Sequence, residues 1–169
     1  MKHLKKIAVA LVLFVATTGF VNAQSKVAHI NVQQLLTEMP EMKAANAELQ
    51  KLQESLKADI QGAMTEYQSK ATQYNNEAAS KTKEENDKRM QELANFEKNI
   101  GQLNQTAQQD MAKKQQDLYG PITEKAKKAI EKIAAAQGFN YVLDASPAGT
   151  VIVATGKDLM ADVKKELGF

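Results

Sequence analysis

The chain has 169 residues, a formal net charge of +2 at pH 7 and no cysteine. The absence of cysteine excludes a disulfide framework and a thiol nucleophile, so an exported chain of this kind would depend on packing or oligomerisation for its stability. The charged residues are not collected on one basic face, which argues against nucleic-acid binding.

Residues 1–23 have the organisation of an export signal. Lys2, Lys5 and Lys6 give a positive start, an apolar run follows, and Val21-Asn22-Ala23 supplies small residues for a signal peptidase. We expect cleavage after Ala23, which leaves one basic residue fewer than the 20 acidic ones. An uncleaved anchor is the alternative, but the run is shorter than the roughly 20 apolar residues that span a membrane.

A β-strand and a long helical region follow the signal. Residues 27–32 alternate apolar and polar side chains, which predicts a strand with Ala28, Ile30 and Val32 on one face. Pro40 suits the first turn of a helix, and the chain beyond it is rich in Ala, Glu, Lys, Gln and Leu. The sequence therefore predicts helix from residue 41 onward.

The helical region carries an apolar stripe that mirrors itself. Its steps of three and four residues over residues 45–67 recur in reverse order over residues 96–118, and the mirror point lies between Lys81 and Thr82. Residues 82–85 have the capping-box pattern that begins a helix. We therefore predict two antiparallel helices with a turn near residues 81–82. The predicted seam between them contains Leu52, Leu56, Ile60, Tyr67, Phe96, Leu103, Ala107 and Met111.

Glycine and proline mark special points of the predicted hairpin. Gly62 and Gly101 lie at the same height on the two helices, which indicates either close helix packing or a shared flexible point. Pro121 follows Gly120 and removes a backbone hydrogen bond, so a break or bend is expected there.

The C-terminal part is predicted to return to β-structure. Residues 139–144 and 150–154 are β-rich and flank the turn sequence Ser146-Pro147-Ala148-Gly149, which predicts a β-hairpin. A last helix is predicted from Asp158, as N-cap, to a stop at Gly168.

The predicted fold class is α+β and mostly α. A long antiparallel helical hairpin, residues 41–133, is inserted between the first strand and the C-terminal β-hairpin with its short helix. Residues 24–40 and 134–169 form a small β-rich body. Because so small a sheet is marginally stable alone, we expect this body to mediate oligomerisation.

No catalytic, cofactor-binding or metal site is predicted. His29 is the one histidine beyond the signal, and it lies on the predicted strand. Asp144 and Ser146 have the local hydrogen-bonding tendency of turn residues. No glycine-rich phosphate loop and no metal-ligand spacing is present, so the sequence does not predict an enzyme.

Apolar residues outside the seam are candidates for binding other polypeptides. They are Met64, Met90, Leu93 and Tyr119. Methionine adapts its shape to varied partners. The alternative is that these side chains pack within the hairpin.

Basic residues crowd the predicted turn. Lys81, Lys83, Lys88 and Arg89 could contact anionic lipid or polypeptide. Acidic residues at positions 84, 85 and 87 alternate with them, which favours an ordinary solvated tip.

Residues 26–32, the long hairpin, the segment Tyr141-Val142-Leu143-Asp144-Ala145 and a closing helix occur in the order found in a known family. In this order the chain beyond the signal resembles the Skp/OmpH family of periplasmic chaperones. The resemblance implies a jellyfish-shaped homotrimer whose body is built from the strands of three chains. Its helical hairpins, or tentacles, would surround a cavity that holds unfolded outer-membrane proteins without ATP.

The charge of the chain departs from the family pattern. Better-known members are strongly basic, whereas this chain beyond the signal is close to neutral. Electrostatic capture of acidic clients is therefore left open. The alternative function is a non-catalytic structural or adaptor protein of the cell envelope, whose coiled-coil hairpins dock on another component.

Overall fold

The structure, a computed structural model, describes residues 25–148 and 151–169. The predicted signal and its cleavage site lie outside these residues. The elements, in chain order, are β1 (Val27–Ile30), α1 (Val32–Glu38), α2 (Pro40–Glu77), α3 (Lys83–Ala136), β2 (Tyr141–Asp144), β3 (Lys157–Asp158) and α4 (Met160–Leu167). Although α2 and α3 are long, no helix of the described residues is apolar enough to cross a membrane.

The helical hairpin is formed by α2 and α3, of 38 and 54 residues. At 1.5 Å per residue these helices extend over roughly 57 and 81 Å. A short 3-10 turn, Ala78–Ser80, follows α2. The capping box at Thr82 begins α3, because its hydroxyl accepts from the Glu85 N–H and the Glu85 carboxylate accepts from the Thr82 N–H.

The second helix of the hairpin runs without interruption through Pro121. The predicted break at this residue is therefore absent, and the helix ends at Ala136, three residues beyond the predicted limit. Proline inside a helix costs about 3 kcal/mol. We attribute the continuity to packing, since Ile122, Ala126 and Ala129 are buried along the turns that follow Pro121.

The sheet has three strands in the order β2-β1-β3, and both outer strands are parallel to β1. The predicted C-terminal β-hairpin is therefore wrong: β2 and β3 do not pair with each other, and the last strand lies at Lys157–Asp158 rather than at residues 150–154. The physical reason is burial. Ala28 and Ile30 of β1 are almost completely buried, and a strand on each side satisfies both edges of β1.

The core of the body lies between one face of this sheet and the helices. The buried members of this core are Ala28, Ile30, Leu35, Met39, Met42, Ala45, Ile122, Ala126, Ala129, Ala134, Leu159 and Val163. Asp158 precedes α4 and accepts a hydrogen bond from the Met160 N–H, and Gly168 ends that helix with φ +87°. The predicted fold class, mostly helical with a long hairpin and a small sheet, is confirmed.

Candidate binding surfaces of the hairpin

The predicted seam residues lie where α2 and α3 face each other. Ala107 is buried, and the other seven are half-buried. The rings of Tyr67 and Phe96 are tilted by 43° with their centroids 6.3 Å apart, which is a favourable aromatic distance. That these residues hold the hairpin together stays a prediction.

Polar contacts join the two helices near the body. The Tyr119 hydroxyl donates to Oδ1 of Asn46, and Lys114 Nζ lies 2.6 Å from Oε1 of Glu48. Lys125 and Glu41 form a further ion pair. Tyr119, a predicted binding residue, is therefore half-buried and engaged between the helices.

A second set of polar contacts joins the helices near the turn; we call Lys70, Tyr74, Glu77, Arg89 and Glu92 the tip clamp. Lys70 and Tyr74 donate to the two carboxylate oxygens of Glu92, at 2.6 and 2.7 Å. Arg89 donates to Glu77 at 2.5 Å and lies over the Tyr74 ring, 4.6 Å from its centroid. Two turns of α2 are thereby fastened to α3.

The contacts of the tip clamp shift the pKa of its acids. Hydrogen bonds from Lys70 and then Tyr74 hold the pKa of Glu92 below its ordinary value. The bond to Glu92 also raises the pKa of the Tyr74 phenol, because ionisation would place two negative groups together. Hydrogen bonds from Gln73 and Arg89 lower the pKa of Glu77. Sequence reasoning missed this clamp, although Tyr74 and Arg89 are equidistant from the mirror point.

The middle of the hairpin differs from its two ends in the contacts between the helices. Between Glu48–Lys114 and Lys70–Glu92, no ion pair or side-chain hydrogen bond joins the two described helices. A Cβ added to Gly62 or Gly101 would meet no atom within 4 Å, which argues against the first of the two alternatives, close helix packing. The shared flexible point remains the interpretation of this pair.

A groove of about 680 Å³ opens between the helices in this middle section; we call it the inter-helix groove. Its residues from α2 are Gln53, Leu56, Lys57, Ile60 and Gln61, and those from α3 are Asn104, Ala107, Gln108, Met111, Ala112 and Gln115. A further hollow shares Gln53, Lys57 and Met111 with it and continues towards the body past Leu49.

The predicted binding residues do not form one patch. Met64 lies in the middle of the hairpin and is 40% exposed, whereas Met90 lies near the turn and is 69% exposed. Leu93 is half-buried and lines a small hollow beside Met90 and the tip clamp. With Tyr119 at the base, these side chains are spread over most of the length of the hairpin, and their role stays a prediction.

The basic residues at the turn differ in their surroundings. Lys88 lies 2.8 Å from Glu84, and Lys83 lies 3.9 Å from Asp87, both as exposed pairs along one helix. The Arg89 side chain is only 19% exposed and belongs to the tip clamp. Contact with anionic lipid or polypeptide therefore stays a prediction for Lys81, Lys83 and Lys88. The position of Arg89 argues against such a contact for this residue.

The body presents an exposed apolar face that sequence reasoning did not single out. In the sheet register, Val27 pairs with Tyr141 and His29 with Leu143, which places these four residues on the face opposite the core. Val27, Tyr141 and Leu143 are 44%, 60% and 44% exposed. We call these four residues the outer sheet face. The strand alternation that placed Ala28 and Ile30 inside was the signal that could have found it.

The described residues hold no group of three or more His, Cys, Asp or Glu side chains placed to bind a metal ion.

The profile of the family described as outer membrane protein (OmpH-like) matches residues 26–167. The chain belongs to the OmpH-like family. The resemblance noted from the sequence is thereby confirmed.

Two individual proteins illustrate this OmpH-like relationship. The chain is 22% identical over 160 residues to a protein of Pectobacterium atrosepticum named chaperone protein Skp, covering 95% of this chain and 96% of that one. A crystal structure from Caulobacter crescentus CB15, described as OmpH-like, matches with a TM-score of 0.76 and 16% identity. That match covers 86% of this chain and 85% of the other, and it shows a shared fold.

Proposed function

We propose that the protein is an ATP-independent holdase chaperone, which binds unfolded outer-membrane proteins in the periplasm and prevents their aggregation. The observation that carries the proposal is the similarity over 95% of the chain to a protein named as a chaperone, together with the OmpH-like family match. The export signal predicted at residues 1–23 supports the periplasmic location.

The shape of the hairpin supports the holding function. The last residue of α2 in the buried core of the body is Ala45, and the first residue of α3 in it is Ile122. The hairpin therefore projects from the body and leaves long surfaces for other chains. Exposed methionines such as Met64 and Met90 suit clients of varied sequence. Many weak contacts within one assembly gain from effective concentration, so no single tight pocket is required.

The outer sheet face supports assembly into a homotrimer through the body. A three-stranded sheet with apolar side chains on both faces is poorly protected from water in a single chain. Contact between copies at Val27, Tyr141 and Leu143 would cover this face. A trimer would also bring three hairpins around one space, in which a client is held by all of them.

Light scattering tests the function directly. An unfolded outer-membrane β-barrel protein is diluted from urea with and without the purified protein and without nucleotide, and we expect aggregation to be suppressed. Unchanged aggregation would overturn the proposal.

Sedimentation equilibrium tests the assembly, for which we expect three chains per particle. A monomer would remove the cavity. A protein that binds one folded envelope partner and no unfolded protein would instead be an adaptor.

A further inference from the structure

We infer that the inter-helix groove is a binding site for extended segments of unfolded polypeptide, which it recognises through their main-chain amide groups as well as their apolar side chains. The inference rests on the proposed chaperone function and adds a location and a chemistry to it. The occupant is a neutral, extended stretch of a client chain.

The floor of the groove is apolar and incompletely covered. Leu56, Ile60 and Met111 are half-buried, and Ala107 between them is buried. An apolar client side chain placed here would remove both its own surface and that of the floor from water. The floor explains affinity for unfolded chains, but it does not by itself distinguish an extended segment from a helix.

The walls supply the chemistry that selects main-chain groups. Gln53 and Gln61 of α2 and Asn104, Gln108 and Gln115 of α3 line the groove, and Lys57 is its one charged residue. Each side-chain amide offers a carbonyl acceptor and two N–H donors, the same groups that a peptide bond presents. Uncharged amide walls are therefore complementary to the neutral N–H and C=O groups of an unfolded chain.

These amides are available for an incoming chain. Elsewhere on α2, Gln50 and Gln73 donate to glutamates one turn away. Asn104 donates to the Ile100 carbonyl, which leaves its own oxygen as an acceptor. In the helical hairpin as described, the side chains of Gln53, Gln61, Gln108 and Gln115 make no such bond.

The spacing of the wall residues fits an extended chain. Asn104 and Gln108 of α3 are one turn apart, which is about 6 Å along the helix at 1.5 Å per residue, whereas Gln53 and Gln61 of α2 are two turns apart. Side chains on one face of an extended strand recur every roughly 6.6 Å. Residues 104–115 span about 16 Å, the length of about five extended residues. The amides of Asn104 and Gln108 can therefore meet successive main-chain groups on one edge of an extended segment, and Gln115 can meet a group further along the same edge.

The position of the groove supports entry of such a segment. It lies in the section of the hairpin without polar ties between the helices, close to Gly62 and Gly101. Both ends of this section are fastened by ion pairs, Glu48–Lys114 on one side and the tip clamp on the other. Opening of this middle section would separate apolar contacts between the helices, since no ion pair or side-chain hydrogen bond joins the described helices there.

The test measures the binding of a fluorescent ten-residue peptide of alternating Val and Thr, with blocked ends, to the purified protein. A second peptide has the same side chains but an N-methyl group on alternate residues, which removes the N–H donors of one edge. We expect the N-methylated peptide to bind at least tenfold more weakly. We also expect less than a twofold change in Kd between 50 and 500 mM NaCl, because neutral groups carry the recognition.

Matched variants of the protein locate the site. Gln108→Glu with Gln115→Glu removes amide donors from the groove wall, and we expect at least fivefold weaker binding of the unmodified peptide. Gln102→Glu with Gln109→Glu makes the same charge change at exposed positions of the same helix outside the groove, and we expect binding within twofold of the unchanged protein. Circular dichroism verifies that both variants keep their helices.

The outcomes separate this inference from the proposed function. Equal binding of both peptides, equal loss in the two variants, or a tenfold loss in high salt would overturn the groove proposal. If the unchanged protein still suppresses aggregation in those cases, the chaperone function stands without it. Failure to suppress aggregation would instead overturn the proposed function, and the peptide comparison would then decide the groove alone.

Discussion

The Tyr74 hydroxyl donates a 2.7 Å hydrogen bond to Oε2 of Glu92 on the opposite helix. The other oxygen of Glu92 accepts from Lys70, so one carboxylate joins two successive turns of α2 to α3. Polar groups thus join the two helices at the distal end of the hairpin, whereas no ion pair or side-chain hydrogen bond joins the described helices in its middle. This division of the hairpin is the basis of the first three predictions.

Glu92→Ala removes the acceptor that Lys70 and Tyr74 share. We expect severalfold faster amide hydrogen exchange in residues 70–93, because the tip of the hairpin opens more often, and little change near the body. Mass spectrometry of the exchanged peptides measures this. Glu97→Ala, an exposed residue of the same helix, is the control. Equal exchange in the two variants would show that the clamp does not hold the tip.

The stability of the tip clamp should fall at both acidic and alkaline pH. The folded-state pKa of Glu92 is lowered from 4.5, so its stabilisation is present above that value and is lost as the pH falls through the lowered pKa. The pKa of Tyr74 is raised from 10.0, so its stabilisation is present below pH 10.0 and is lost as the phenol ionises at higher pH.

Hydrogen exchange corrected for intrinsic rates, with tyrosinate absorbance alongside, measures this pH dependence. Tyr74→Phe should abolish the alkaline transition of the tip, and Tyr119→Phe should leave it in place. An alkaline transition that persists in Tyr74→Phe would assign it to another group.

Gly62→Ala with Gly101→Ala should stabilise the hairpin. No atom lies within 4 Å of either added Cβ, and alanine favours helix over glycine by about 1 kcal/mol at each position. We expect a higher denaturant midpoint and, if the flexible middle admits clients, weaker suppression of aggregation. Ala58→Gly, at an exposed site on α2, should change stability in the opposite direction. Higher stability with undiminished chaperone activity would show that flexibility here is unnecessary.

Leu143→Asp should disrupt the proposed assembly. Leu143 is 44% exposed on the outer sheet face, so a single chain tolerates the charge but an apolar contact between copies does not. Sedimentation equilibrium should show smaller particles. Ala161→Asp, an exposed position of α4, should keep the assembly of the unchanged protein. An unaltered particle mass for Leu143→Asp would exclude this face as the contact.

Leu159→Ala should destabilise the body. Leu159 is 0% exposed in the core, and truncation of such a leucine costs about 2–5 kcal/mol through lost burial and a residual cavity. Denaturant unfolding at fixed protein concentration measures this. Ile152→Ala, at a side chain that is 97% exposed, should stay within about 0.5 kcal/mol of the unchanged protein. Similar losses in both variants would contradict the assigned core.

Several elements could be predicted because their signals are local. Thr82 and Glu85 are three residues apart, Pro40 stands at the first turn of its helix, and Gly168 ends the last helix with a positive φ. The C-terminal β-hairpin was predicted wrongly from an equally local signal, the turn residues that follow Asp144. Which strand a segment joins depends on the faces that become buried, and turn chemistry does not report this.

The candidate binding residues, too, could be predicted only in part. Met64 and Met90 are exposed, as residues outside a seam can be, but Tyr119 and Arg89 are engaged by partners on the opposite helix. Their partners Asn46 and Glu77 were not anticipated. Contacts between long side chains depend on rotamers and on the rotation of each helix about its axis, which an apolar periodicity defines only coarsely.

The antiparallel helical hairpin and the position of its reversal near residues 81–82 follow from the amino-acid sequence alone, because a repeat of three and four residues reports directly on one face of a helix. Tertiary structure alone decides the strand order β2-β1-β3, the exposed face at Tyr141 and Leu143, and the amide-lined groove between α2 and α3. These features exist only where segments distant in the chain meet, so their energies depend on packing that no local pattern encodes.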